Sequence, residues 1–137
     1  MNGYLLVCPV AYLLAGSLKF LVNSARARAL AFGRIGLGGF PSTHTAIVSS
    51  AAWLIGWRQG VDTPAFCVAL ALIMVVVIDA MDLRRKLEKI HAVLKQQFPE
   101  APAAQALRER VGHSVIEVLG GLGCGLAAAA LMQVLNP

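Results

Sequence analysis

The sequence predicts an all-α fold: an integral membrane helical bundle with about four transmembrane helices plus an interfacial amphipathic helix. Hydrophobic residues fill 58% of the 137 positions and charged residues only 14%, whereas soluble domains contain about 45–50% apolar residues. Four weakly charged segments account for the difference, at 4–22, 42–57, 63–78 and 114–137. Their lengths suit a hydrocarbon core of about 30 Å. The chain length favours a single domain, residues 1–137.

A basic, glycine-bearing loop over residues 25–41 joins the first two segments. The first segment contains one charged residue, Lys19, and ends near residues 23–24. Ser42 or Thr43 can cap the second segment, which is short and must tilt or lean on its neighbours. The loop glycines let the backbone approach a ligand closely, and an anion is one candidate.

The second half of the chain contains three further elements. Thr63 followed by Pro64 is a helix cap with proline at the first helical position, and it opens the third segment. Residues 83–96 place apolar side chains on one face and cations around the rest, which is typical of a helix lying on the membrane interface. The fourth segment carries Gly121 and Gly125 before an alanine run, a small-residue surface that lets helices approach closely.

The distribution of cations predicts an orientation. Eleven of the twelve Lys and Arg residues lie in or beside the two connections that emerge on the same face, and Arg58 is alone on the other. The positive-inside rule then predicts a multi-pass protein of the cytoplasmic (inner) membrane, with these loops on the cytoplasmic face and both termini outside. Cations recruited to bind phosphate would produce the same asymmetry.

Cysteine usage and charge exclude several classes of function. Cys8, Cys67 and Cys124 lie in apolar segments without CxxC or zinc-ligand spacing, so we interpret them as packing thiols and predict no metal, other cofactor or disulfide. The net charge of +5 does not indicate nucleic acid, because no basic stripe with stacking aromatic residues lies on a soluble face. An anionic lipid headgroup explains the cations better.

His113 and Glu117 are the first candidate catalytic pair. They are four residues apart on a predicted helix, so their side chains share a face. The carboxylate can fix the imidazole tautomer and leave the other ring nitrogen free as a nucleophile or base. Glu117 lies inside an apolar run, where ionisable groups are costly and usually functional. The alternative is a glutamate near the interface with a neutral histidine as its hydrogen-bond partner.

His44 is the second candidate histidine. It follows Pro-Ser-Thr at the start of the second segment, where backbone N–H groups and the hydroxyls of Ser42 and Thr43 form an anion site. A histidine there can donate a proton to a leaving oxygen. The alternative is a capping turn with an incidental histidine, but the pairing with His113 on the same membrane face favours the functional interpretation.

Charged residues at the membrane edge complete the candidate site. Arg84 and Arg85 offer fork geometry to a phosphate, and an aspartate, Asp79 or Asp82, can hold such a fork in place. Ordinary helix-end charges are one alternative; a divalent cation between Asp79 and Asp82 is another, which the surrounding cations disfavour. Lys19 faces the same basic loop, although it could instead snorkel to the interface.

Three motifs together resemble the divergent branch of the type 2 phosphatidic acid phosphatase superfamily. Its divergent members show Gly-Gly-Met-Pro-Ser-Ser-His, Asp-Ala-x-Gly-Val-Arg-Arg and Leu-Gly-His-x-x-x-Glu-Val. This chain has Gly-Gly-Phe-Pro-Ser-Thr-His over 38–44, Asp-Ala-Met-Asp-Leu-Arg-Arg over 79–85 and Val-Gly-His-Ser-Val-Ile-Glu-Val over 111–118. Order, spacing and hydropathy match, and the resemblance covers nearly the whole chain.

The resemblance implies a role for each candidate residue. His113 would attack phosphorus and form a phosphohistidine, Glu117 would orient it, and His44 would protonate the leaving alkoxide. The equatorial phosphate oxygens would be held by Lys19, Ser42, the backbone N–H groups near Thr43, and either Arg84 or Arg85. Such phosphoryl transfer needs mainly positioning and charge neutralisation, so no metal is implied.

Some positions depart from the family pattern. Thr43 stands where the wider superfamily has glycine, so we expect a costly left-handed backbone there. Asp82 replaces a glycine of the divergent motif, and we expect its negative charge next to the phosphate site. The superfamily's first motif survives as Lys19 and Arg26 without its proline, which leaves open which of three arginines joins the site: Arg26, Arg28 or Arg34.

The sequence therefore predicts a metal-independent membrane lipid phosphatase that hydrolyses a lipid or isoprenoid (di)phosphate through a phosphohistidine intermediate. The alternative is a non-catalytic protein that binds or transports an anionic lipid, such as polyprenyl phosphate, with the same phosphate cradle. Haloperoxidase-like chemistry from bound vanadate is remote, because such enzymes are usually larger and soluble. The expected partners are the lipid bilayer, a lipid phosphate substrate and, because a glycine-rich helix face can pair, a second copy of the chain.

Overall fold

The computed structural model describes residues 3–28, 39–107 and 111–136, and this part of the chain is helical without strands. The elements, in chain order, are α1 (Tyr4–Ala27), α2 (Thr43–Gln59), α3 (Pro64–Ile78), a π turn (Asp79–Leu83), α4 (Arg84–Gln97), α5 (Pro102–Gln105) and α6 (Val115–Leu135). The Ser42 side chain accepts from Thr45 N–H at the start of α2, and Thr63 accepts from Phe66 N–H at the start of α3. Both predicted caps are thus observed.

The predicted helical membrane bundle is confirmed. Three stretches of the described chain are long and apolar enough to cross a membrane: Tyr4–Ala27, Pro64–Gln97 and Val115–Leu135. The fourth helix of the bundle, α2, has only 17 residues. It packs against α1, α3 and α6, so its neighbours compensate for its short length, as the sequence anticipates.

The amphipathic helix predicted at 83–96 is present as α4, but it is continuous with α3. The π turn joins α4 to α3, and together they form one stretch of 34 residues. At about 1.5 Å per residue this stretch is about 50 Å long, which exceeds a hydrocarbon core of about 30 Å. Whether α4 lies on the membrane interface stays a prediction.

α1 and α3 run opposite to α2 and α6, so the bundle has two distinct ends. At one end the Gln59 amide donates to the Tyr4 hydroxyl, which brings the end of α2 to the start of α1. At the other end Ser42 N–H donates to the Glu117 carbonyl at 2.8 Å, which joins the starts of α2 and α6. We call these the Arg58 end and the motif end, because the second one holds His44, Asp79 and His113.

Small side chains fill the interior and large apolar side chains cover the outside. The buried core cluster is Val7, Ala11, Leu54, Ala128, Ala129 and Met132. Leu5 and Val134, in contrast, are 79% and 78% exposed. Exposed apolar side chains suit lipid as the surrounding solvent, and small interior residues let helix backbones approach closely.

The small-residue surface of α6 is used inside the chain. A Cβ atom at Gly121 would lie 2.5 Å from the Ser42 carbonyl oxygen, and one at Gly125 would lie 2.1 Å from Ser49 Oγ. Only glycine at these two positions therefore lets the backbones of α6 and α2 approach this closely. The homo-oligomer stays a prediction, and it would need a surface other than Gly121 and Gly125.

Candidate active site

His113 and Glu117 form a buried pair at the start of α6. His113 is 5% and Glu117 4% exposed, and His113 Nδ1 lies 3.1 Å from Glu117 Oε2. The predicted contact is present, but its predicted origin is wrong, because α6 begins only at Val115 and His113 lies outside it. A capping box brings the pair together instead: Ser114 Oγ accepts from Glu117 N–H, and Glu117 Oε2 accepts from Ser114 N–H at 3.0 Å.

The pair has the geometry of an oriented imidazole. In the neutral imidazole beside an ionised Glu117, Nδ1–H donates a hydrogen bond to the carboxylate, and Nε2 is the ring nitrogen without a proton. A ring nitrogen in that state can act as a nucleophile or a base. The carboxylate also accepts from Ser114 N–H, which fixes its own orientation.

Arg84 and Asp79 are brought together by the π turn. Arg84 Nε donates to Asp79 Oδ2 at 2.7 Å, with both side chains about one third exposed. In an α-helix residues five apart point about 140° away from each other, whereas the wider π turn places them on one side. Asp79 binds the Nε of Arg84. The two Nη groups of Arg84 make no hydrogen bond to any described residue.

His44 lies in the first turn of α2. It is exposed and close enough to Arg84, His113, Lys19 and Asp79 to interact electrostatically with all four. The neighbouring Ser42 is fully buried, and its Oγ accepts from the Thr45 hydroxyl at 2.9 Å as well as from Thr45 N–H. The predicted substrate ligand Ser42 thus caps α2 and does not line the site.

A cavity of about 250 Å³ lies at the motif end. Its lining residues are His44, Val75, Val76, Asp79, Ala80, Arg84 and His113. Four of the predicted site residues therefore share one cavity, although they come from three separate parts of the chain. The two valines belong to α3 and were not predicted, since nothing in an apolar run distinguishes a cavity wall from a lipid-facing side chain.

The other predicted site residues lie around this cavity. Lys19 is half-buried in α1 and interacts electrostatically with His44 and with Glu117. Arg85 is exposed, and its stem lies beside Gly112. Between the two arginine candidates, only Arg84 lines the cavity.

Thr43 and Asp82, which depart from the family motifs, differ in the structure from what the sequence led us to expect. Thr43 is the first residue of α2, and the only non-glycine residue with positive φ in the described chain is Arg28. The expected left-handed backbone at Thr43 is therefore wrong, because this position is helical. Asp82 is 60% exposed and pairs with Lys86 at 2.8 Å, so its charge is neutralised away from the cavity.

Arg26 and Arg28, two of the three arginine candidates of the first motif, do not line the cavity. Arg26 lies in the last turn of α1 and Arg28 follows that helix, and both are exposed. Arg34 lies outside the described residues. Among the described residues, Arg84 is the only arginine that lines the cavity.

Glu88, on α4, is a site-related residue that the sequence did not indicate. Its Oε1 accepts from Val111 N–H at 2.7 Å and from Gly112 N–H at 2.6 Å. These two residues directly precede His113. In the sequence Glu88 is one more charge on an amphipathic helix, and no local pattern points to a contact more than twenty residues away.

Comparisons with known proteins find a family and a relative for this chain. The family model described as Divergent PAP2 family matches residues 1–128. An uncharacterized membrane protein of Bacillus subtilis (strain 168), YuiD, is 28% identical over 114 residues, which cover 72% of this chain and 70% of the relative. No solved structure matches the chain.

Proposed function

The chain belongs to the Divergent PAP2 family, and on that premise we propose that it is a metal-independent membrane lipid phosphatase. Its substrate would be a lipid or isoprenoid phosphate or diphosphate, and its intermediate a phosphohistidine on His113. One observation carries this proposal: His113, whose ring contacts the buried Glu117, lines the same cavity as His44 and Arg84. A nucleophile, an acid and a phosphate-binding cation are thus in one place.

The proposed reaction has two steps. Nε2 of His113 attacks phosphorus while the bond to the alkoxide oxygen breaks, and His44 gives its proton to that oxygen. Water then attacks the phosphohistidine, His44 takes a proton from the water, and the P–N bond breaks. This step restores His113 and releases inorganic phosphate.

Three groups would neutralise the charge on the phosphate oxygens. Arg84 presents its Nη groups while Asp79 holds Nε. The start of α2 offers the N–H groups of Thr43 and His44, which have no acceptor in the described chain. Lys19 adds a positive charge close to His44. Fixed charges and dipoles of this kind stabilise a transition state without needing to reorganise.

The wall of the cavity supports a lipid substrate. Val75 lines the cavity and is also 63% exposed on the surface of α3. The same side chain therefore borders both the phosphate site and the apolar outside of the bundle. A substrate with a phosphate headgroup and an apolar chain could place each part in the surroundings that suit it.

The test is phosphate release by the purified protein in detergent or liposomes, with EDTA present. The panel is phosphatidate, phosphatidylglycerol phosphate, and polyprenyl mono- and diphosphates. We expect release from at least one lipid and its loss in His113→Ala. His91→Ala is the matched control, because His91 lies on α4 and does not line this cavity.

Three other results of this assay would each refute part of the proposal. Turnover retained in His113→Ala would refute the nucleophile. Stoichiometric lipid binding without release from any substrate would refute the phosphatase and favour the binding or transport protein. Release that EDTA abolishes would refute the metal-independent mechanism.

A further inference from the structure

We propose that Glu88 is a positioning residue for His113, which it holds through the backbone of residues 111–112. The kinetic part of this inference rests on the proposed phosphatase function, whereas the structural part does not. Glu88 does not line the 250 Å³ cavity, so it acts on the site through the chain and not on the substrate.

The first observation is a double hydrogen bond to one carboxylate oxygen. Glu88 Oε1 accepts from Val111 N–H at 2.7 Å and from Gly112 N–H at 2.6 Å. Both bonds are short, as expected for charge-assisted hydrogen bonds, which are about twice as strong as neutral ones. They fix the two residues that precede the nucleophile to α4.

The second observation is that the π turn binds the next residue, His113, through a backbone carbonyl. Arg84 N–H donates to the carbonyl of Asp79, five residues earlier, whereas an α-helix would use the carbonyl of Ala80. That Ala80 carbonyl accepts from His113 N–H at 3.0 Å. Three successive N–H groups, of residues 111, 112 and 113, are therefore all bound by the α3–α4 stretch.

The third observation is the close approach of the backbones. A Cβ atom at Gly112 would lie 3.0 Å from Arg85 Cγ and 3.3 Å from the Ala80 carbonyl oxygen. Glycine thus lets the segment lie directly against the π turn. Gly112 has no side chain that could fix its position. The hydrogen bond from its N–H to Glu88 is therefore a principal contact of this residue.

Together these contacts hold the nucleophile from two sides. Its N–H is bound by the π turn, the two residues before it are bound by Glu88 of α4, and its Nδ1 lies against Glu117 of α6. His113 lies before α6 begins, so no helix fixes its backbone. A displacement of about 1 Å at a reacting atom can lower a rate by about 10²-fold, which makes the anchor at Glu88 relevant to catalysis.

The experiment compares Glu88→Ala and Glu88→Gln with Asp82→Asn. Glutamine keeps an acceptor oxygen without the charge, whereas alanine keeps neither. Asp82→Asn is the matched control, because it removes one negative charge from the same stretch, where its carboxylate pairs with the exposed Lys86. The chain has only three histidines, so ¹⁵N-histidine NMR of the protein in micelles resolves the tautomer of His113 without any substrate.

We expect Glu88→Ala to move the ¹⁵N signals of His113 toward a mixture of tautomers. We also expect it to lower kcat about 10- to 100-fold with KM nearly unchanged. Glu88→Gln should lose only about threefold to tenfold, since neutral bonds replace charge-assisted ones. Asp82→Asn should match the wild type in both measurements.

Unchanged His113 signals in both Glu88 variants would overturn the proposal, whatever their activity. A higher KM with unchanged kcat would also overturn it, because that result assigns Glu88 to substrate binding. Shifted signals in a protein without any turnover would support the positioning role while the phosphatase proposal failed. If Glu88→Ala does not fold, Glu88→Gln alone decides between these outcomes.

Discussion

Arg58 and Lys19, two cations at opposite ends of the bundle, differ in what surrounds them. Arg58 Nε donates to Gln133 Oε1 at 2.9 Å, and its Nη2 donates to the backbone carbonyls of Met132 and Asn136. Its guanidinium also lies over the ring of Tyr4, 5.3 Å from the centroid. At the motif end, no acceptor among the described residues contacts the Lys19 ammonium, and the Nη groups of Arg84 are similarly unused.

The comparison separates a structural cation from cations available to a ligand. Arg58 binds two carbonyls at the C-terminal end of α6, that of Met132 and that of the C-cap residue Asn136, and it ties this end of α6 to α1 and α2. The cations of the motif end keep donors free beside a buried histidine–glutamate pair. The same types of residue therefore stabilise the fold at one end and can bind an anion at the other.

The largest effect expected at the motif end is that of Glu117→Gln. Glutamine at this position still completes a capping box, so α6 should begin at the same residue and stability should change little. An amide does not fix the imidazole tautomer, so we expect kcat to fall about 10³- to 10⁴-fold. Steady-state phosphate release and thermal unfolding would check both statements, and a large loss of stability with intact kcat would contradict them.

The next largest effect is expected for Arg84→Gln. Loss of the cavity arginine should lower kcat/KM about 10²- to 10³-fold, as for other donors that stabilise transition-state charge. Arg85→Gln is the matched control, since Arg85 is the exposed neighbour outside the cavity. Equal losses in the two variants would mean that the motif end acts through its general positive charge and not through Arg84.

A substitution between the two ends should affect both fold and activity. A Cβ atom at Gly121 would lie 2.5 Å from the Ser42 carbonyl oxygen, whereas one at Gly123 would meet nothing within 4 Å. We expect Gly121→Ala to destabilise the protein by about 1–3 kcal/mol and to lower kcat, because it separates α6 from the start of α2. Gly123→Ala should be neutral or stabilising by up to about 1 kcal/mol.

Unfolding can be followed by the fluorescence of Trp53 and Trp57, which both lie on α2 with ring centroids 6.4 Å apart. A Gly121→Ala protein as stable as Gly123→Ala would show that the two helices can separate without cost.

The smallest effect is expected at the Arg58 end. Arg58→Met removes hydrogen bonds to carbonyls that water can partly replace, so we expect a loss of about 1 kcal/mol. The kcat of the folded protein should not change, because Arg58 lies at the other end of the bundle. A fall in kcat without a fall in the unfolding temperature would remove the distinction between the two ends.

Much of the site could be predicted because its residues carry local signals. His44 follows a helix cap, and Glu117 is an acid in an apolar run. An aspartate that holds one of the two arginines was also predicted, but the pairing of Asp79 with Arg84 depends on a π turn for which the sequence gives no sign. The assignment of Ser42 to phosphate could not be corrected from the sequence, since a capping hydroxyl and a ligand hydroxyl look the same there.

By itself, the sequence determined the helical membrane bundle, its segment order and the residues of its three motifs. Hydropathy, helix caps and charge asymmetry decide these features, and each acts over a few residues or along one helix. Only the tertiary structure decided that α2 lies between three helices, that Glu88 binds residues 111–112, and that Arg84 rather than Arg85 reaches the cavity. These facts depend on the rotation and spacing of packed helices, which the close α2–α6 contact and the π turn set.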